Sequence, residues 1–163
     1  MRLLRYAALV ALVVWLGGLI TLGAIVAPTA FDVVAARHVE SGRMLAGVLF
    51  GAIFERFHFV AYGAGAVLLL SLVTRRVLGP KPVHFGVRTG ILCAMLALTL
   101  YSGLVLTGDV ERTQAELGVP SSTLPEGDPG RMRFEWRHGL SVAIVIVTVA
   151  AGLVLLGYEA SEG

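Results

Sequence analysis

The sequence predicts an all-α integral membrane protein, a four-helix up-down bundle with the N and C termini cytoplasmic. Three observations predict it. Of 163 residues, 56% are hydrophobic and 15% charged, the mean hydropathy is +0.83, and the apolar residues gather into four long runs between polar or Gly/Pro-rich stretches. A hydrocarbon core of about 30 Å takes about 20 residues as helix. Four spans with their connections therefore use nearly the whole chain, read as one transmembrane domain over residues 1–163.

The first span is expected at about Leu4–Val26. Its basic start and apolar run resemble a signal peptide, but the apolar stretch continues through Val26 without a small-x-small cleavage site, so it reads as a retained helix. Ala27-Pro28 is expected to stop it, because proline removes a donor and restricts the residue before it. A short outer segment, Thr29 to Arg43, follows. The apolar region from Leu45 to Thr74 is too long for one perpendicular span and is interrupted by Glu55-Arg56. The second span is placed at about 54–74, preceded by an interfacial helix or by a projection of the same helix. The third is expected at about 87–107 and the fourth at about 136–156. The stretch from Gly108 to Arg133, with five acids and several turn formers, reads as an outer loop.

Orientation rests on the turn between the second and third spans, which holds Arg75, Arg76, Lys81 and Arg88 and no acidic residue. Short basic loops stay cytoplasmic, and Arg2 and Arg5 agree with this after two crossings. The expected location is a bacterial-type inner (plasma) membrane, with the lipid bilayer as the first partner. Although the formal net charge is +2, the cations flank apolar runs and form no stripe, which argues against nucleic acid. Cys93 is the only cysteine, so no intrachain disulfide exists. Nucleophile elbows, phosphate loops and Cys-x-x-Cys pairs are absent, and an enzyme reading would rest on histidines alone.

Two pentads share the form Phe-Glu-x-x-His: Phe54-Glu55-Arg56-Phe57-His58 and Phe134-Glu135-Trp136-Arg137-His138. Each opens an inward-running span, so His58 and His138 are expected at the same depth, about one turn below the outer interface. Ionisable groups at membrane depth usually mark a site or a polar cavity. The plainer reading is an interfacial belt in which Phe and Trp anchor and Arg and Glu are solvated.

Trp15-Leu16-Gly17-Gly18, Ala27-Pro28 with Phe31, Gly47-x-Leu49-Phe50, His58 and Arg137-His138-Gly139-Leu140-Ser141 together resemble the transmembrane protein 205-like family. That family is a four-span membrane domain of unknown function, and the likeness covers nearly the whole chain. It carries over to His58, His138, Gly139 and Ser141. Glu55 and Glu135 fall outside its pattern.

Three functions compete on these residues. In the first, His58 and His138 hold a b-type haem, with Arg56 and Arg137 available to its propionates and Tyr62 and Ser141 beside it, and electrons pass to a redox partner at the outer face. Gly17, Gly18, Gly63, Gly65 and Gly103 offer room for a macrocycle or serve ordinary helix packing. In a square bundle, facing α-carbons of diagonal helices lie roughly 8 Å apart, so a bis-histidine haem needs the outer end to splay. In the second, Glu55, Glu135, Asp32 and Asp109 join the histidines around iron, copper or zinc, as in soluble Glu-x-x-His di-metal bundles. Pro28 and Gly108 place Asp32 and Asp109 in loops beyond the helices. The third is a small transporter or an assembly subunit, with homo-oligomers open to it. Thr21, Ser71, Thr99 and Ser102 are its midplane polar groups, expected to bond back to their own helices. Haem is favoured over the metal pair because two histidines at one depth suffice for it. His38 and His84 read as solvated.

Overall fold

The computed structural model describes residues 2–37, 42–79 and 83–161. His38 and Lys81 lie outside the described residues. The described chain is helical, with no strand among these residues. Helix α1 (Arg2–Thr21) runs through a π-helical turn (Leu22–Val26) into α2 (Ala27–Arg37). Helix α3 is Gly42–Leu78. Helix α4 (Phe85–Tyr101) runs through a second π turn (Ser102–Leu106) into α5 (Thr107–Leu117), a 3₁₀ turn covers Ser121–Thr123, and α6 is Pro129–Ser161. The segments Arg2–Val34, Gly42–Leu78, Phe85–Leu117 and Pro129–Ser161 are each long and apolar enough to cross a membrane. The protein is a multi-pass membrane bundle, as expected.

The helices pack in ring order, α1 against α3 and α6, and α4 against α3 and α6. Arg2 and Ser161 therefore lie at one end of the bundle, here the terminal end, and α2 and α5 lie at the distal end. About 20 residues separate Glu55 from Arg75, Arg88 from Asp109, and Arg137 from Glu159. Each interval spans roughly 30 Å, the thickness of a hydrocarbon core.

Three boundaries differ from expectation at the distal end, the third being the start of α6 at Pro129, inside the expected loop. Pro28 does not end the first helix. The Ala27 N–H bonds to the Leu22 carbonyl, five residues back, and this wider turn accommodates the pyrrolidine ring that would clash in a regular helix. Asp32 thus lies on α2. The expected loop from Gly108 likewise begins as helix, because the second π turn passes the chain into α5, which ends at Gly118 with φ 65. Asp109 lies in the first turn of α5, which continues the helix from the π turn. At the other side of the connection the Asp128 carboxylate accepts the Gly130 and Arg131 N–H groups at 2.8 and 2.9 Å. It caps α6, with Pro129 in the first helical position. For the second span, the structure takes the projecting option, a single helix from Gly42 to Leu78.

The π turns lie eighty positions apart, and so do α2 and α5. Buried residues follow the same offset: Ala8, Leu12, Trp15, Leu19 and Leu22 correspond to Arg88, Leu92, Met95, Thr99 and Ser102. Ala64 and Leu68 correspond to Ile144 and Thr148. The bundle is therefore a repeated helical hairpin. Two spans per repeat give both copies the same direction, related by an axis along the membrane normal.

Lipid is as apolar as leucine, so close packing rather than the hydrophobic effect holds such helices together. Glycines supply the close approach. A Cβ on Gly18 would collide with Phe57, one on Gly65 with Leu96, and one on Gly152 with Leu16. Trp15 and Leu12 are fully buried at the centre of this packing.

Candidate functional site

His58 lies on the inner face of α3 and is 4% exposed. Residues four apart share a helix face, and here Phe54, His58 and Tyr62 form a column. The His58 ring meets Phe54 edge-on at 4.5 Å and lies 6.0 Å from Tyr62. Its Nδ1–H donates to the Phe54 carbonyl at 2.9 Å. A carbonyl only accepts, so the proton of the neutral ring sits on Nδ1 and Nε2 is left as an acceptor. Across the interface stands Gly103, in the second π turn. A Cβ there would lie 2.6 Å from His58 Cδ2 and would also collide with the Tyr62 hydroxyl.

His58, Thr99, Ser102 and Thr148 line a cavity between the spans, together with apolar residues that include Leu19, Phe57 and Ile144. Its volume of about 10 Å³ has room for one water. Thr99 donates back to the Met95 carbonyl at 2.8 Å, the bonding expected of it. Ser102 Oγ and Thr148 Oγ1 are buried without a hydrogen-bond partner among the described residues. Most buried polar atoms are paired, so two orphaned hydroxyls beside one imidazole mark the cavity as a polar site. Ser71 is buried as well, whereas Thr21 is exposed.

His138 does not join this cavity. It is exposed on α6 and stacks on Phe134 at 5.8 Å and 5°. The rotational phase of α6 explains the difference. Its buried residues Ile144, Thr148, Gly152 and Leu155 trace a stripe that reaches the distal end at Arg137, one residue and about 100° from His138. The Arg137 guanidinium occupies the inward position, donating to the Thr113 hydroxyl and, at 3.4 Å, to the Asp109 carbonyl. His58 and His138 therefore do not face one another, and a water-sized cavity stands where a macrocycle was expected. Gly18, Gly65 and Gly103 are filled by neighbouring side chains, while Gly17 and Gly63 face outward with nothing within 4 Å. Arg56 is exposed, Arg137 is engaged by α5, and Ser141 is partly exposed.

The carboxylates do not converge either. Asp32, Glu55 and Glu135 are exposed. Glu135 pairs with Arg131 at 2.7 Å, and Asp109 lies 3.5 Å from Arg112. Among the described residues no three His, Cys, Asp or Glu side chains gather as a metal site. The expectation that Asp32 and Asp109 lie in loops is corrected, but their placement on α2 and α5 brings them no closer to a shared ion.

A second polar cluster escaped the sequence reading. At the terminal end Glu159 of α6 is 5% exposed and Arg88 of α4 is 2% exposed. The Glu159 carboxylate pairs with Arg88 and, at 3.0 Å, with Arg75 of α3, and the Glu159 carbonyl accepts from Arg5 of α1 at 2.8 Å. All four spans meet there. The signal was periodicity: Arg88 continues the buried stripe Leu92, Met95, Thr99, and Glu159 continues Thr148, Gly152, Leu155. His84, by contrast, is exposed as expected and lies 5.6 Å from Tyr158.

No curated protein and no solved structure matches the chain. A family model described as a domain of unknown function, DUF4149, matches residues 10–118. The matched part holds His58, Ser102, Gly103, Arg75 and Arg88, while Thr148 and Glu159 lie beyond it. That match covers more than half of the chain, which therefore belongs to the DUF4149 family.

Proposed function

We propose that this protein is a small transport-type membrane protein whose cavity beside His58 binds water and the proton it carries. The observation that supports this reading is the combination of a buried imidazole, its Nδ1 engaged by the Phe54 carbonyl, with two unpartnered hydroxyls around a space for one water. A water bonded to Nε2 and to both hydroxyls would have three polar partners, the number that holds a buried water in place. A proton passed from that water to Nε2 forms an imidazolium whose new N–H donates back to the water oxygen. Release reverses the step, so the site exchanges one proton and retains no covalent product. Intramembrane ionisable groups in carriers commonly serve such relays, and π turns recur at functional sites. Placement among the transmembrane protein 205-like proteins, with the terminal end cytoplasmic, is part of the same proposal. It rests on Trp15-Leu16-Gly17-Gly18 and on the basic ends of the spans.

The test is proton flux into sealed vesicles carrying the purified protein and a trapped pH dye. After an acid jump the wild type should acidify the lumen faster than empty vesicles. His58→Ala should abolish the difference and His138→Ala should retain it. Equal flux with and without the wild-type protein would overturn the reading.

A second reading, an assembly subunit, is favoured by one observation. The distal part of α3 turns Leu45, Val48 and Leu49 outward, 47%, 62% and 45% exposed. Cross-linking in native membranes tests whether a second copy covers this face, with a dimer at Val48→Cys expected under that reading.

A further inference from the structure

We infer that Glu159 is a gate that holds the two hairpins together at the terminal end and separates the His58 cavity from the solution there. Arg5 and Arg75 belong to the first hairpin, Arg88 and Glu159 to the second. The Arg5–Glu159 and Arg75–Glu159 bonds therefore cross between the repeats, at 2.8 Å and 3.0 Å. Arg75 Nη1 reaches both carboxylate oxygens, at 3.1 and 3.0 Å, a charge-assisted contact stronger than a neutral hydrogen bond. Between this clasp and the cavity lies a leucine band, Leu12, Leu68, Leu72, Leu92 and Leu155, around a second water-sized space that reaches Arg88 and Glu159. From Arg88 to Ser102 is fourteen residues of one span, roughly 21 Å.

The distal end is joined differently. The Arg137 bonds to Thr113 and Asp109 stay within the second hairpin, and among the described residues the hairpins share there an exposed hydrogen bond from Arg43 to Ser122 at 3.1 Å. Exposed polar contacts hold little, whereas a buried pair loses strongly when one partner is removed. Two repeats clasped tightly at one end and loosely at the other are built to rock, and rocking of repeats about a central site is how alternating access works. The leucine band then parts only when the Glu159 bonds break. The purpose of the gate rests on the transport reading, but the clasp itself does not.

The experiment reads accessibility and needs no transported ligand, so failure of the His58 flux test leaves it informative. Cys93 is replaced by Ala and Leu155 by Cys, and a membrane-impermeant methanethiosulfonate is added to right-side-out or inverted vesicles. With Glu159 present, labelling from the terminal side should be slow. Glu159→Gln should raise that rate at least tenfold and leave the rate from the distal side unchanged. No rise in a monodisperse variant, or an equal rise from both sides, would overturn the gate. If Glu159→Gln does not accumulate, Arg5→Gln, which leaves the carboxylate bonds intact, replaces it. A two- to threefold rise from the terminal side then supports the gate, and an unchanged rate overturns it.

Discussion

The His58 ring occupies the space that the missing Cβ of Gly103 leaves on the facing span, and Tyr62 fills the remainder of it. The pairing joins the first hairpin to the second beside the cavity, so the glycine is a steric requirement of the site. Gly103 also sits in the π turn that carries Ser102.

Gly103→Ala should destabilise the bundle by about 1–3 kcal/mol, the usual range for overpacking a filled interface. Gly63→Ala, on an exposed face with nothing within 4 Å, should stay within about 0.5 kcal/mol. Unfolding in mixed micelles measures both. Equal effects would mean that α3 and α4 do not meet as described.

Glu159→Gln should destabilise by roughly 3–5 kcal/mol, because it leaves buried guanidinium groups facing a neutral amide. Glu135→Gln breaks an ion pair whose carboxylate side chain is 53% exposed and should lose no more than about 1 kcal/mol. The same unfolding titration ranks the two.

Ser102→Ala and Thr148→Val remove hydroxyls that have no partner among the described residues. In the proposed site each hydroxyl bonds only to the water, so its loss should change stability by no more than about 1 kcal/mol while proton flux falls. A loss of stability with flux retained would assign these hydroxyls a structural role instead.

His138 should react with an acylating imidazole reagent well before His58, given its exposure and the burial of His58 at 4%. Peptide mass spectrometry after brief treatment reads the order. His138→Ala should leave stability within about 0.5 kcal/mol.

The four spans were legible because twenty-residue apolar runs bounded by charge have few other fates. The distal extensions were not, because Pro28 and Gly108 read as stops. Only the hydrogen bonds of the π turns, from Ala27 to Leu22 and from Thr107 to Ser102, show how the helices pass them. The paired pentads were legible as a repeat, and His58 was found by its depth. Its separation from His138 was not legible, since rotation of α6 by one position is set by Arg137 gripping α5. Arg88 entered the sequence reading only as part of the basic turn and Glu159 not at all, because charges near span ends are usually solvated. Their places on the buried stripes of α4 and α6 outweigh that habit. The eighty-residue repeat is faint in residue identity and plain in burial, where packing position matters more than side-chain type.

The most direct measurement is solid-state nitrogen NMR on protein labelled at histidine in lipid bilayers, with His58 assigned by comparison with His58→Ala and magnetisation transferred from water. The expected result is a neutral His58 ring protonated at Nδ1, with water magnetisation reaching Nε2. A ring protonated at Nε2, or an Nε2 that receives nothing from water, would contradict the site.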